Sequence, residues 1–85
     1  MSHYVYILKL KNNQRYTGSC GDIKRRFGEH QRGKVKSTAN LLPVKLLLVE
    51  TYINKSDALR REKFLKTTEG KRLLQQQIRD TLTEQ

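Results

Sequence analysis

The sequence predicts an α+β fold, a three-stranded antiparallel sheet flanked by about three helices in the order β-β-α-β-α-α. Two β-rich runs, residues 4–10 and 44–52, are apolar on both faces, as strands covered from two sides are. Between Gly21 and Gly33, and again beyond Ser56, apolar residues recur at helical spacing. The chain has 85 residues, and a chain that short buries only about 60% of the surface its unfolded form exposes, which leaves room for one small core and an open-faced site.

Residues 4–10 (Tyr-Val-Tyr-Ile-Leu-Lys-Leu) are β-branched and aromatic, so this strand belongs in the middle of the sheet. Lys11-Asn12-Asn13-Gln14 is a polar turn of hairpin length, and residues 15–20 resume the extended pattern, which pairs the two strands antiparallel. Asp22 is the expected N-cap of a helix on which Ile23, Phe27 and His30 share a face, and Gly33 is its stop. Lys24, Arg25 and Arg26 sit near the positive end of that helix dipole, a local cost of roughly a few tenths of a kcal/mol that a nearby anion would offset. Residues 34–43 read as a basic loop closed by Pro43.

In the third strand Leu46, Leu48 and Tyr52 fall on one face and Leu47, Val49, Thr51 and Ile53 on the other, so it too is expected to be covered on both sides. Ser56 is the expected N-cap of a second helix, where Ala58, Leu59, Glu62 and Leu65 share a sector. The Thr67-Thr68-Glu69-Gly70 break starts a last helix with Leu74, Ile78 and Leu82 at i, i+4 and i+8. With no repeat or linker in view, residues 1–85 are expected to form a single domain.

Charge narrows the function. The chain carries 18 Lys and Arg against 8 Asp and Glu, a net charge of +10, and its mean hydropathy is -0.79. Residues 1–49 hold ten of the cations against only Asp22 and Glu29, so the first half makes most of the field. That balance suits a binder of phosphate backbone, since Lys and Arg displace condensed counterions from nucleic acid. No apolar run approaches the ~20 residues of a membrane span, and no helix pairs a wide apolar face with a basic one. A lone Cys20 permits neither an internal disulfide nor a Cys-based zinc site, which fits a reduced, cytoplasmic protein.

The residues able to carry chemistry are Tyr6 and Tyr16 on the paired strands, Arg26 and His30 on the first helix, and Glu62 on the second. Each also has an ordinary structural reading: a strand tyrosine packs, His30 complements a helix C-terminus, and Glu62 pairs with Lys66 at i+4. Gly18 inside a strand marks either a bulge or a close approach to the backbone. Taken together they point further. Tyr4-Val5-Tyr6-Ile7-Leu8, Tyr16-Thr17-Gly18, the run from Asp22 to His30, Leu42-Pro43-Val44-Lys45 and Ala58-Leu59-Arg60-Arg61-Glu62 resemble, in order and at family spacing, the GIY-YIG nuclease superfamily, in particular its short stand-alone bacterial members. The first motif keeps only its final tyrosine, Tyr6, and the second has Thr17 for its central Ile. Ser19 stands where some members carry Lys, and the family's downstream Asn has no counterpart beyond the Gln75-Gln76-Gln77 run.

The resemblance implies a divalent-metal-dependent DNA endonuclease acting in repair or recombination. Glu62 would hold Mg²⁺ or Mn²⁺, which keeps most of its waters and is completed by phosphate oxygens. Tyr6 would act as base with Tyr16 assisting, Arg26 would clamp the phosphate, and His30 would orient water or phosphate. Gly18, Lys24, Arg25, Lys34 and Lys36 are the expected contacts to the DNA backbone. Strong base specificity would need a partner protein or a branched or distorted substrate, because no recognition module fits in the chain. Two other functions stay open: a non-catalytic nucleic-acid-binding module with the same fold and charge, and an adaptor for an acidic protein.

Overall fold

The computed structural model describes residues 2–84. Strands β1 (His3–Lys9), β2 (Arg15–Cys20) and β3 (Lys45–Tyr52) form an antiparallel sheet in the order β2-β1-β3. The four helices are α1 (Ile23–Gln31), α2 (Lys55–Leu65), α3 (Thr68–Gln77) and α4 (Arg79–Thr83), and a short 3₁₀ turn spans Ala39–Leu41. β1 is the central strand, as its two apolar faces require: Val5, Tyr6, Ile7 and Leu8 are all buried. In the hairpin turn Asn13 adopts φ 67°, a left-handed conformation that asparagine tolerates.

Alternation along β1 creates two cores on opposite faces. Val5 and Ile7 pack with Ala58 and Leu65 of α2 and with Leu74 and Ile78, while Tyr6 and Leu8 pack with Tyr16, Ile23 and Phe27 under α1. Asp22 caps α1, its carboxylate accepting the Arg25 backbone N–H at 3.0 Å, and Gly33 ends the helix at φ 72°.

β3 departs from simple alternation. A bulge opposite Ile7 and Leu8 pairs Leu8 with Leu46 and Ile7 with Leu48, and the extra residue, Leu47, joins Leu48 and Tyr52 on the α2 face. Val49 covers the other face, while Leu46 at 36% and Ile53 at 84% are exposed, so this edge strand is covered less completely than its pattern suggests. α2 starts two residues earlier than expected: Asn54 is the N-cap, and Ser56 lies inside the helix. Leu59 is exposed, so the buried stripe of α2 narrows to Ala58 and Leu65. The last helix is broken at Ile78, whose φ −114°, ψ 32° separate α3 from α4, while its side chain stays buried in the core.

Adjacent residues strap α2 across the sheet. Arg61 donates from Nε and Nη2 to the two Glu50 carboxylate oxygens of β3 at 3.0 and 3.2 Å, its guanidinium 5.7 Å from the Phe64 ring centre. Glu62, the next residue, accepts a 2.6 Å hydrogen bond from Ser19 Oγ of β2. One helix is thereby tied to both sheet edges.

Candidate active site

Tyr6, Tyr16, Arg26 and His30 come together under α1. Tyr6 pairs with Gly18 and Leu8 with Tyr16 across the hairpin, which sets both tyrosines on the α1 face of the sheet. His30, seven residues into a helix that begins at Ile23, turns back toward them and is fully buried. Its ring meets Tyr6 edge-on at 5.6 Å between centroids and Tyr16 at 5.1 Å, while the two phenols lie 6.3 Å apart. Tyr6 Oη is 2.9 Å from His30 Nε2, and His30 Nδ1 is 2.8 Å from Thr38 Oγ1.

The charges follow from this packing. Burial pushes the Tyr6 phenol up to about 12, against the downward pull of the nearby Arg26 cation. Burial and the nearby Arg26 cation together lower the His30 pKa, so its ring is neutral at pH 7. Arg26 is held from its other side by Glu29, with Nη1 donating to Oε1 at 3.1 Å. Exposure separates the tyrosines: Tyr6 is 1% exposed, whereas Tyr16 is half-buried. Burial likewise pushes the Cys20 thiol up, in keeping with a packing role beside Tyr16.

Glu62 is not part of that cluster. Ser19 pairs with Val5, so the Glu62 carboxylate lies on the α2 face, and the two groups of residues flank edge strand β2 from opposite sides. Burial raises the Glu62 pKa, but hydrogen bonds from Ser19 and Lys66 outweigh it and hold the carboxyl below the usual glutamate range. Lys66 Nζ donates to Oε2 at 2.9 Å, so each carboxylate oxygen already has a partner. Among the described residues no three His, Cys, Asp or Glu side chains stand together to share a metal ion. One carboxylate beside one hydroxyl is a sparse, hard oxygen set, which fits Mg²⁺ or Mn²⁺ bound mainly through water and phosphate and does not fit a softer metal. A cation at Glu62 would compete with the Lys66 ammonium for the same carboxylate charge.

Gly18 is buried, and a Cβ placed on it would stand 2.5 Å from Tyr6 Oη and 2.6 Å from Cζ, so its missing side chain makes room for the Tyr6 phenol. Lys24, Arg25, Lys34 and Lys36 are exposed on α1 and the loop after it, with Arg25 Nε 3.5 Å from Glu29 Oε2. That loop is more than a basic connection, since Val35, between the two lysines, and Thr38, after them, are buried. Thr38 and the Ser19 contact to Glu62 are the site features that residue patterns did not reveal, whereas the Lys66 ion pair with Glu62 was legible from its i+4 spacing.

Comparison with known proteins shows relatives of this chain. Residues 2–75 match the family model described as the GIY-YIG catalytic domain. A UPF0213 protein of Staphylococcus haemolyticus is 44% identical over 66 residues, covering 76% of this chain and 80% of its own. One from Staphylococcus aureus is 43% identical over 67 residues, covering 78% and 82%. The solution NMR structure of the UPF0213 protein BH0048 from Bacillus halodurans is similar to this fold with a TM-score of 0.57 at 36% identity, over 87% of this chain and 82% of that one.

Proposed function

This chain belongs to the GIY-YIG nuclease family, and from that premise we propose that it is a divalent-metal-dependent endonuclease hydrolysing DNA phosphodiesters, acting on branched or distorted substrates in repair or recombination. The observation that carries the proposal is the packing of Tyr6, Tyr16, Arg26 and His30 from three elements into one cluster beside a sheet edge. A chain with net charge +10 supplies the affinity for the backbone, with Lys24, Arg25, Lys34 and Lys36 on the exposed surface next to that cluster.

The roles follow exposure. Tyr6, buried and with its pKa near 12, is a poor base at neutral pH, which reverses the order of the two tyrosines expected from sequence. Tyr16, the more exposed of the two, orients the attacking water, while the buried Tyr6 stands behind it near Arg26. The Arg26 guanidinium meets the phosphate as charge builds on its oxygens. Glu62, with Ser19 beside it, would hold Mg²⁺ or Mn²⁺. Such an ion supplies Lewis-acid stabilisation of the leaving 3′-oxygen.

The test is cleavage of labelled branched, flapped, nicked and duplex DNAs with Mg²⁺, Mn²⁺ or EDTA, comparing wild type with Glu62→Gln. Metal-dependent cutting by wild type that is lost in the variant, with DNA binding retained, is the expected result; equal activity in the two refutes the assignment of Glu62. The Lys66 ion pair on Glu62 and the separation of Glu62 from the tyrosines favour a second reading, a nucleic-acid-binding module without catalysis. That reading gives salt-sensitive binding by both proteins and cutting by neither.

A further inference from the structure

Behind Tyr6 lies a buried chain of polar groups that the proposed reaction does not use. His30 and Thr38 are each 0% exposed, and among the described residues their side-chain polar atoms are partnered by one another, by Tyr6 and by the Val35 carbonyl. Each link has a fixed direction. A hydroxyl has one proton, and the Thr38 hydroxyl gives its own to the Val35 carbonyl at 3.4 Å, so toward His30 Nδ1, 2.8 Å away, its oxygen accepts. A neutral imidazole that donates at Nδ1 accepts at Nε2. Tyr6 Oη, 2.9 Å from Nε2, is then the donor of that bond. The alternative tautomer sets His30 Nε2–H against Tyr6, makes the phenol accept, and takes the Thr38 proton away from the Val35 carbonyl.

We propose that Thr38 is a positioning residue that holds His30 as its Nδ1–H tautomer, so that the Tyr6 hydroxyl points inward to Nε2 and leaves its oxygen lone pairs free for the neighbouring Arg26 cation. A threonine in the loop after α1 thus orients, through His30, the phenol at the centre of the cluster. The tautomer stands on geometry alone; its consequence for turnover rests on the nuclease reading above. The low pKa of His30 agrees with a ring that is neutral and therefore able to have a tautomer.

The experiment is long-range ¹H–¹⁵N NMR of the imidazole nitrogens in the full chain, with His3 assigned by substitution. Wild-type His30 should show a protonated, pyrrole-like Nδ1 and a pyridine-like Nε2. Thr38→Val keeps the shape, and the Val35 carbonyl keeps the residue 38 backbone N–H, 3.0 Å away in wild type. Loss of one buried hydrogen bond should then shift the tautomer ratio on the order of fivefold toward Nε2–H. Thr38→Ser should restore the wild-type pattern. A protonated Nε2 in wild type overturns the proposal without any variant, as does an unchanged ratio in a folded Thr38→Val. On a cleavable DNA, Thr38→Val should lower kcat with KM unchanged, and Thr38→Ser should recover it; equal kcat in wild type and Thr38→Val overturns the positioning role. If wild type cuts no DNA, the nuclease reading fails and the NMR result alone decides the tautomer.

Discussion

Gly18→Ala separates two explanations of the same glycine. Strand glycines ordinarily gain about 0.5–1 kcal/mol on becoming alanine, because the backbone loses less entropy on folding. Here the new methyl would lie 2.5 Å from Tyr6 Oη, 2.6 Å from Cζ and 3.1 Å from Tyr16 Cε1. Those atoms cannot retreat easily, since Tyr6 is 1% exposed and its hydroxyl is engaged with His30. Overpacking a filled core costs typically about 1–3 kcal/mol, so the net effect is destabilising by roughly 1–2 kcal/mol. For a domain of this size that lowers Tm by roughly 4–16 °C, which circular dichroism reads directly. Tyr6→Phe removes only the nearest atom and leaves Cζ in the way, so most of the penalty should persist in that background. Tyr6→Leu removes the ring, and there Gly18→Ala should become neutral or stabilising, a coupling that a double-mutant cycle measures. An unchanged or raised Tm for Gly18→Ala, with DNA binding weakened, would mean that the glycine keeps the strand open for nucleic acid, and the steric reasoning would be wrong.

Other consequences of the structure are as direct. Arg26→Ala should lower turnover more than tenfold, whereas Arg32→Ala, exposed and outside the cluster, should only soften the salt dependence of DNA binding; equal losses of turnover would count against the phosphate role of Arg26. Lys66→Met removes the cation that occupies Glu62 and should tighten Mn²⁺ binding by roughly two- to fivefold, the range an exposed ion pair supports; electron paramagnetic resonance titration measures it, and an unchanged affinity would place the ion elsewhere. Burial raises the Glu50 pKa, but hydrogen bonds from Arg61, Tyr52 and Gln77 outweigh it and hold the carboxyl below the usual range. A pKa depressed by folding contributes stability above the unfolded value of about 4.3 and loses it as pH falls through the folded value. Glu50→Gln should therefore flatten the fall of stability below pH about 4.3, and identical acid limbs for the two proteins in urea titrations would contradict the strap.

Local chemistry made much of this molecule legible. The two-sided apolar run of residues 4–10 could only be a central strand, and Asp22 and Gly33 bracket α1 as their capping preferences require. The start of α2 was harder to read because Asn54 and Ser56 both favour N-caps, and neither makes a side-chain cap hydrogen bond that would single it out. At the candidate site, Tyr6, Tyr16, Arg26, His30 and Glu62 were implied together by the resemblance to the GIY-YIG family, and the structure packs the first four together while setting Glu62 apart. Their ranking by exposure was not legible, since no residue pattern tells which of two paired-strand tyrosines α1 and its following loop will cover.

What the sequence determined by itself was therefore what adjacent residues impose on one another: strand and helix periods, helix ends, the hairpin, the basic half and the motif set. Tertiary structure alone decided the bulge that moves Leu47 across β3, the break at Ile78, the strap from Arg61 to Glu50 and the burial of Thr38 against His30. It also decided that Glu62 and the tyrosine cluster border β2 from opposite faces. The physical reason is range. Periodicity and capping act within a few residues, whereas burial, hydrogen-bond direction and the choice of ion-pair partner depend on side chains brought together from distant positions, and those are fixed only when the sheet and helices close on their common cores.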